Sequence, residues 1–205
     1  MGKLSITTFV SLDGVMQGPG GPEEDPRDGF DLGGWTVPYA DDDFGHFMDG
    51  VFDRVGAFLL GRRTYEIFAG FWPTMTDPDD PIASKLNSKP KYVVSTTMER
   101  ADWEPTTIIR GDDLAKEITA LKERTDGEVQ VHGSGRLAHS LLEHDLIDTL
   151  HVLTYPVVLG KGLRLFPEGA VPTAFRHTEA RTTGSGVTIQ TYELAGRPEY
   201  GTYGA

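Results

Sequence analysis

Two neighbouring arginines lie where a predicted helix begins. The segment FLLGRRTYEIF, residues 58–68, changes from an apolar run to a helical pattern at Gly61, and Arg62 and Arg63 follow at once. The amino end of a helix carries partial positive charge and unpaired N–H groups, so a guanidinium group there costs about 0.3–1 kcal/mol unless an anion offsets it. Because N–H groups, guanidinium groups and the Thr64 hydroxyl all bind phosphate oxygens, the pattern predicts a phosphate site.

An ion pair within the helix is the alternative explanation of these arginines. Glu66 lies four residues after Arg62 and three after Arg63, so it can pair with either side chain. Such pairs contribute only about 0.2–0.5 kcal/mol, and arginine before glutamate is the less favourable order. These energies favour the phosphate site and leave the ion pair open.

A second glycine-rich junction has the same form, a strand followed by glycine and then a helix. It is VHGSGRLA, residues 131–138, in which Gly133 and Gly135 allow a ligand to approach the backbone closely. Ser134 lies between them and can donate or accept a hydrogen bond. The junction is therefore a second candidate ligand-binding segment.

One carboxylate follows the first predicted strand directly. Open α/β sheets bind ligands at the carboxyl ends of their strands, which makes Asp13 a candidate acid or substrate-binding residue. The pair Asp13-Gly14 is also typical of a simple turn, in which the aspartate binds nearby backbone. Both interpretations stay open.

Strand and helix patterns alternate along the chain. Periodicity predicts strands at residues 4–10, 55–61, 91–97, 106–111, 128–133 and from 149 to the interruption at Pro156, with two more joined across Gly184-Ser185-Gly186. It predicts helices that begin at Asp41–Asp43, Arg62, Asp112-Asp113 and Ser134. Such alternation is typical of an α/β fold with a mostly parallel sheet and an antiparallel end.

The chain shows no internal repeat or linker. Residues 1–195 are expected to form one domain, with 196–205 as a flexible C-terminal tail. Residues 17–34 are rich in glycine, proline and acidic side chains, which predicts a long surface loop. Loops of this length in a domain are usually functional or disordered.

The composition excludes several classes of function. With 19 Lys and Arg against 31 Asp and Glu, the formal charge is −12, which makes nucleic acid a poor partner. No apolar run is long enough to cross a membrane and no signal peptide is recognisable, so a cytoplasmic location is expected. The chain has no cysteine and its six histidines lack metal-site spacing, so no metal is predicted.

The two junctions, in this order after a strand that ends in SLDG, resemble the dihydrofolate reductase fold family. The chain is most similar to the reductase domain of the bifunctional riboflavin-pathway deaminase-reductase and its stand-alone relatives. The resemblance spans residues 3–194, and its most specific segments are LLGRRTYE, HGSGRLAHSLLEHDLID and YPVVLGKGLRLF. It implies a twisted, mostly parallel sheet with flanking helices, an antiparallel C-terminal hairpin, and NADPH as the cofactor.

This resemblance also implies which residues bind the cofactor. The first group binds the cofactor phosphates, with one arginine near the adenosine 2′-phosphate, and consists of Gly61, Arg62, Arg63 and Thr64. Ser95 and Thr96 match positions near the adenosine end. The third group lies along the pyrophosphate and nicotinamide and consists of Gly133, Ser134, Gly135 and Arg136.

Hydride transfer also needs a proton source, for which Asp13 and Asp43 are the candidates. Dihydrofolate reductases carry a single carboxylate on the helix before the second strand. This chain has Asp41, Asp42 and Asp43 there, in YADDDF, with helix capping as the alternative role. True dihydrofolate reductase activity is therefore not the expectation.

The expected substrate is a small heterocyclic, imine or carbonyl compound. It would resemble either the riboflavin-pathway intermediate 5-amino-6-(5-phosphoribosylamino)uracil or a pteridine, and Gly14, Met16 and Trp35 are expected to contact it. The resemblance implies a homodimer. The alternative hypothesis is a non-catalytic protein that has kept the NADP(H) or nucleotide pocket without turnover.

Overall fold

An eight-stranded sheet forms the centre of the molecule. The computed structural model describes residues 2–204. The strands are β1 Leu4–Ser11, β2 Val55–Gly61, β3 Lys91–Val94, β4 Thr106–Ile109, β5 Glu128–His132, β6 Thr149–Tyr155, β7 Ala174–Thr182 and β8 Thr188–Gly196. The α-helices are α1 Asp42–Phe52, α2 Arg62–Phe71, α3 Pro81–Ser88, α4 Leu114–Arg124 and α5 Gly135–Glu143. Short 3₁₀ helices lie at Arg27–Gly29, Val37–Tyr39 and Trp72–Thr74.

The strands lie in the order β4-β3-β2-β5-β1-β6-β8-β7. All neighbours from β4 to β6 pair in parallel, whereas β8 runs antiparallel to β6, and β7 antiparallel to β8. Parallel neighbours need crossover connections, and the helices supply most of them. The expected α/β fold, with a mostly parallel sheet and an antiparallel C-terminal hairpin, is confirmed.

Each face of the sheet has its own apolar core. Successive residues of a strand point to opposite faces of the sheet, so a single strand such as β2 contributes to both cores. The first core lies under α1, α2 and α3 and includes Phe58, Leu60 and Leu153 of the strands. The second lies under α4 and α5 and includes Leu59 and Val131. Burying each of these side chains stabilises the fold by about 1.5–3 kcal/mol.

Helix α3 was not predicted from the sequence. Its N-cap is Asp80, whose carboxylate accepts the N–H groups of Ile82 at 2.9 Å and Ala83 at 3.0 Å, and Pro81 occupies its first turn. The helix buries Ala83 and Leu86 against the first core. The segment before the helix is rich in acidic residues and proline, a composition typical of loops, so the helix start at Asp80 was not predicted.

Other boundaries differ from expectation by a few residues. β3 ends at Val94 rather than at residue 97, because the Ser95 hydroxyl accepts the N–H groups of Thr97 and Met98 and turns the chain. β4 ends at Ile109 rather than at residue 111. No helix among residues 2–204 has the length and apolar character needed to cross a membrane.

The chain after β8 forms neither helix nor strand as far as residue 204. Arg197 begins this segment and pairs with Asp145, 2.7 Å away. The division into a domain of residues 1–195 and a flexible tail stays a prediction.

Buried polar side chains form a row on the sheet face that α1 covers. Thr7 of β1 lies beside His132 on one neighbouring strand and beside His151 on the other, and His151 lies beside Thr191. His151 Nδ1 is 3.0 Å from Thr191 Oγ1. Burial lowers the pKa of His132 and of His151 to about 4, whereas the arginines and glutamates around His151 shift its pKa in opposite directions. Both imidazoles are therefore neutral at pH 7.

We expect the protein to lose stability as the pH falls below about 6.5. The unfolded chain protonates these histidines near pH 6.5, whereas the folded protein resists protonation until about pH 4. The unfolded state holds more protons between these values, so each histidine removes about 2 kcal/mol of unfolding free energy by about pH 5. Urea unfolding at about pH 7.5 and about pH 5 measures this loss.

Two variants localise the effect. His132→Gln should remove about half of the acid-induced loss, since one of the two buried imidazoles is gone. His46→Gln replaces an exposed histidine of α1 and should leave the loss unchanged. An equal loss in the wild type and in His132→Gln would contradict the assignment.

Candidate functional site

The two glycine-rich junctions meet at one point of the sheet. β2 and β5 are parallel neighbours, so Gly61 at the end of β2 and His132 at the end of β5 lie at the same edge. From β2 the chain continues to β3 on one side, and from β5 it continues to β6 on the other. Such a switch point leaves a crevice outside the carboxyl ends of the strands, where α/β sheets bind ligands.

Ser134 joins the two helix starts directly. Its hydroxyl accepts the N–H group of Gly61 at 2.9 Å and donates to the Thr64 Oγ1 atom at 2.8 Å. A Cβ atom on Gly61 would lie 3.3 Å from the Ser134 oxygen, so any larger residue would crowd this bridge. The amino ends of α2 and α5 are thereby held side by side.

The backbone at this junction is left-handed at two consecutive residues. Gly133 has φ of 65° and Ser134 has φ of 62° and ψ of 59°. A serine in this region is uncommon and costs about 1–2 kcal/mol, which the hydrogen bonds of its hydroxyl offset. Its hydroxyl therefore does not cap α5, and Gly61 has no side chain to cap α2.

These features fit a phosphate-bearing nucleotide. Two helix amino ends present N–H groups at one crevice, beside the hydroxyls of Thr64 and Ser134. A Cβ atom on Gly133 would lie 3.7 Å from the Thr64 Oγ1 atom, in ordinary van der Waals contact, so this turn lies directly against Thr64. The donors are hydroxyl, amide and guanidinium groups, which suit phosphate oxygens.

Arg62 makes the ion pair that the sequence left open, and it also reaches the next loop. Its Nε atom lies 2.7 Å from Glu66 Oε1, and its Nη1 atom donates to Thr97 Oγ1 at 2.6 Å. Thr97 belongs to the turn that follows Ser95 and Thr96. The contact brings Arg62 to the turn expected at the adenosine end of the cofactor.

Arg62 also lines a broad cavity of about 710 Å³ between α2 and the turn after β3. Thr97, Met98 and Trp103 also line this cavity.

Arg63 points to a different part of the molecule. Its Nη2 atom lies 3.9 Å from a carboxylate oxygen of Asp25, in the long loop between β1 and α1. Arg136, in the first turn of α5, is exposed. The cofactor roles of both arginines stay predictions.

Asp13 is bound to backbone and to a neighbouring arginine. Its carboxylate accepts the Ser11 hydroxyl at 2.7 Å and the N–H groups of Leu159 at 3.1 Å and Gly160 at 2.9 Å, and Arg164 lies 3.6 Å away. The Ser11 hydrogen bond and those from the backbone lower the pKa of Asp13 to about 2. The side chain therefore ties the segment after β6 to the end of β1, and it is ionised at neutral pH.

Asp43 and its neighbour Asp41 hold the hairpin between β7 and β8. Asp43 accepts the N–H group of Gly184 at 3.0 Å. Asp41 is the N-cap of α1 and accepts the N–H groups of Phe44 and Ser185, each at 2.8 Å. The capping role that the sequence offered as the alternative is therefore present at Asp41.

The predicted substrate residues occupy three different environments. Trp35 is buried, and its indole N–H donates to the Gln17 carbonyl oxygen at 2.8 Å. Met16 is closest to the crevice, because its sulfur would lie 3.1 Å from a Cβ atom on Gly135. Gly14, with φ of 80°, lies in the turn after β1. Met16 therefore borders the second junction, at Gly135.

Sequence reasoning missed an aromatic cluster beside this site. Tyr155, at the end of β6, packs edge-on against three rings at centroid distances of 5.4 Å for Trp35 and 5.9 Å for Phe9 and Tyr39. Phe9 also meets Phe44 of α1 at 5.8 Å. No local pattern signals this cluster, because Phe9 and Tyr155 come together only through the pairing of β1 with β6.

Comparison with known proteins identifies the family. The family described as the RibD C-terminal domain matches residues 2–189, so the chain belongs to that family. The uncharacterized protein YyaP of Bacillus subtilis (strain 168) is 26% identical over 196 residues, which cover 95% of this chain and 96% of YyaP. Membership supports a reductase-like class of function.

Solved structures agree on the fold. A deaminase and 5-amino-6-(5-phosphoribosylamino)uracil reductase from Thermotoga maritima is 14% identical with a TM-score of 0.64, and the match covers 95% of this chain and 57% of that one. Dihydrofolate reductase from Enterococcus faecalis, complexed with NADP(H), is 14% identical with a TM-score of 0.57 over 94% of this chain and 96% of that one. The resemblance stated from the motifs is confirmed.

The Ser134 bridge predicts a specific pattern of stabilities. Ser134→Ala should lower the unfolding free energy by about 1–2 kcal/mol, because the Gly61 N–H group loses its acceptor while the left-handed backbone stays strained. Ser134→Gly loses the same hydroxyl but adopts that backbone without strain, so it should be about 1 kcal/mol more stable than Ser134→Ala. Urea unfolding of the three proteins measures both differences, and an alanine variant as stable as wild type would show that the bridge contributes nothing.

Proposed function

We propose that the protein is an NADPH-dependent reductase that acts on a small heterocyclic, imine or carbonyl substrate. One observation carries the proposal: the Ser134 hydroxyl joins Gly61 and Thr64, so that two uncapped helix starts face one crevice at the switch point of the sheet. A dinucleotide with several phosphates is the ligand class that such a crevice suits. Membership of the RibD C-terminal domain family supports the same assignment.

The residues of this chain would divide the work of binding. The amino ends of α2 and α5, with Thr64 and Ser134, would hold the pyrophosphate. Arg62, positioned by Glu66 and Thr97, would bind the 2′-phosphate that distinguishes NADPH from NADH. The cofactor would supply a hydride when bound.

The aromatic cluster is the proposed wall of the substrate site. Phe9, Tyr39 and Phe44 are only partly buried, so their rings offer apolar surface at the carboxyl edge of the sheet. Planar heterocycles stack favourably on aromatic rings. The riboflavin-pathway pyrimidine and pteridine-like compounds are the first substrates to test, and a homodimer is the proposed form.

A non-catalytic nucleotide-binding protein is the second candidate, and one observation favours it. Both aspartates proposed as proton donors accept hydrogen bonds from backbone N–H groups. Such a protein would bind NADPH without oxidising it. Oxidation of NADPH, followed by its absorbance in the presence of the candidate substrates, separates the two functions.

Arg62 is expected to determine cofactor preference. Arg62→Ala should weaken NADPH binding about tenfold or more and leave NADH binding nearly unchanged, because only NADPH carries the 2′-phosphate. Tryptophan quenching during titration with each nucleotide measures both affinities. Arg176→Ala, which removes an exposed, carboxylate-paired arginine of β7, is the matched control and should bind both nucleotides normally. Equal losses for NADPH and NADH in Arg62→Ala would contradict the 2′-phosphate assignment.

Asp13→Asn tests whether Asp13 has a chemical role beyond its structural one. If Asp13 takes part in the reaction, NADPH affinity should persist while turnover falls by about tenfold or more. Its hydrogen bonds also predict a loss of stability of about 1–2 kcal/mol. Steady-state kinetics and urea unfolding of the same preparation separate the effects, and unchanged turnover with lowered stability would leave Asp13 a structural role alone.

A further inference from the structure

The loop between β1 and α1 folds back on itself and is closed at its base. We call residues 17–36 the β1–α1 loop. The indole of Trp35 donates to the Gln17 carbonyl oxygen at 2.8 Å, and the Thr36 hydroxyl donates to the Pro19 carbonyl oxygen at 2.7 Å. The Gln17 side chain binds the tip of the loop, because its Nε2 atom donates to the carbonyl oxygens of two loop residues at 3.1 Å.

Asp25 is the one buried carboxylate of this loop among the residues that the structure describes, with 7% of its surface exposed. Both of its oxygens accept hydrogen bonds from the Arg27 guanidinium at 2.6 Å. Arg63 approaches one of the same oxygens from α2 at 3.9 Å. Burial raises the pKa of Asp25, but hydrogen bonds from Arg27 and the charges of Arg27 and Arg63 outweigh burial, so the pKa is lowered.

The contact lies next to the proposed phosphate site. Arg63 is in the first turn of α2, between Arg62 and Thr64, and both neighbours belong to that site. A phosphate bound at this helix start would attract the same guanidinium that Asp25 attracts, and it would be repelled by the Asp25 carboxylate. The loop carboxylate and an anionic ligand therefore compete for one cation.

If a bound phosphate replaced Asp25 as the partner of Arg63, few other contacts would change. At 3.9 Å Arg63 makes an ion pair without a hydrogen bond, so its departure leaves the two hydrogen bonds between Asp25 and Arg27 intact. About 43% of the Arg63 side chain is exposed, which leaves it free to move.

We propose that Asp25 competes with the cofactor phosphates for Arg63, and so sets the affinity for NADPH and links the β1–α1 loop to occupancy of the phosphate site. The inference rests on the proposed function, because it needs an anionic cofactor at α2. Lys161 holds the far side of the loop, through Asp31 at 2.6 Å and the Gly29 carbonyl oxygen at 3.3 Å. Release of Arg63 would therefore remove one contact between the loop and α2, while the contacts that Lys161 makes with the loop would remain.

The first test is the affinity of Asp25→Asn for NADPH. Removing the competing charge should tighten binding about threefold to fivefold at low salt, the strength of a partly exposed ion pair, and the gain should shrink as salt is added. Asp28→Asn is the matched control: it removes an equal charge from the same loop, and asparagine tolerates the positive φ of 56° at that position. Its affinity should equal that of the wild type.

The second test uses Arg63. In an Arg63→Ala background, Asp25→Asn should no longer tighten NADPH binding, because the cation for which the two anions compete is absent. Hydrogen exchange of peptides covering residues 22–30 provides a readout of the loop itself. Sodium pyrophosphate should raise exchange there in the wild type and have little further effect in Arg63→Ala.

The outcomes separate this inference from the proposed function. Normal NADPH binding by the wild type, with Asp25→Asn no tighter or with Asp28→Asn equally improved, would overturn the role of Asp25 and leave the reductase assignment standing. Tighter NADPH binding by Asp25→Asn alone, without turnover of any substrate, would support the competition and contradict the enzymatic activity. Failure of every variant to bind NADPH or pyrophosphate would overturn both.

Discussion

The hydroxyl of Ser134 is the contact on which the proposed site depends. It joins Gly61 and Thr64 to a residue about seventy positions later, and this is possible only because β5 is inserted between β2 and β1 in the sheet. The hydroxyl is used for this bridge and not to cap its own helix, so the N–H groups at both helix starts stay available. The left-handed backbone at Ser134 follows from the same requirement, because it turns the side chain across the crevice.

The positive charge at the proposed phosphate site comes from nearby groups, and neighbouring carboxylates partly neutralise it. A chain with a formal charge of −12 repels anions at long range, so a phosphate site must rely on neighbouring guanidinium groups and helix ends. Each arginine at the start of α2 nevertheless has a carboxylate beside it, Glu66 for Arg62 and Asp25 for Arg63. These carboxylates orient the guanidinium groups and also lower the positive potential that an anion meets.

The sequence predicted the parts of the molecule that depend on local signals. Strand and helix alternation predicted the α/β class, and glycine at the end of a strand pattern located the two strand-to-helix junctions, because each signal is contained within about ten residues. Helix α3 was missed because its cap, Asp80, lies in a run of turn-forming residues. Burial of Trp35 could not be inferred, since it depends on Tyr155, which lies 120 positions further along the chain.

The difference between local and long-range contacts also explains why the sequence could not tell which carboxylate pairs with Arg62 and which with Arg63. Glu66 lies within the helix and was a possible partner for both arginines, but in the structure it pairs with Arg62. Asp25 comes to Arg63 from a loop whose folding depends on Gln17 and Trp35, and no periodic pattern signals that approach. Long-range ion pairs of this kind emerge only once the fold is known.

The position of the carboxylates bears on which substrate the proposed reductase would accept. Asp13 is ionised at neutral pH because its pKa is about 2, so it cannot serve as the acid that protonates a newly formed alkoxide. Reduction of a carbonyl group needs such a proton, whereas an iminium cation accepts a hydride and becomes a neutral amine without one. A carbonyl substrate of the proposed reductase would therefore have to take its proton from a group other than Asp13.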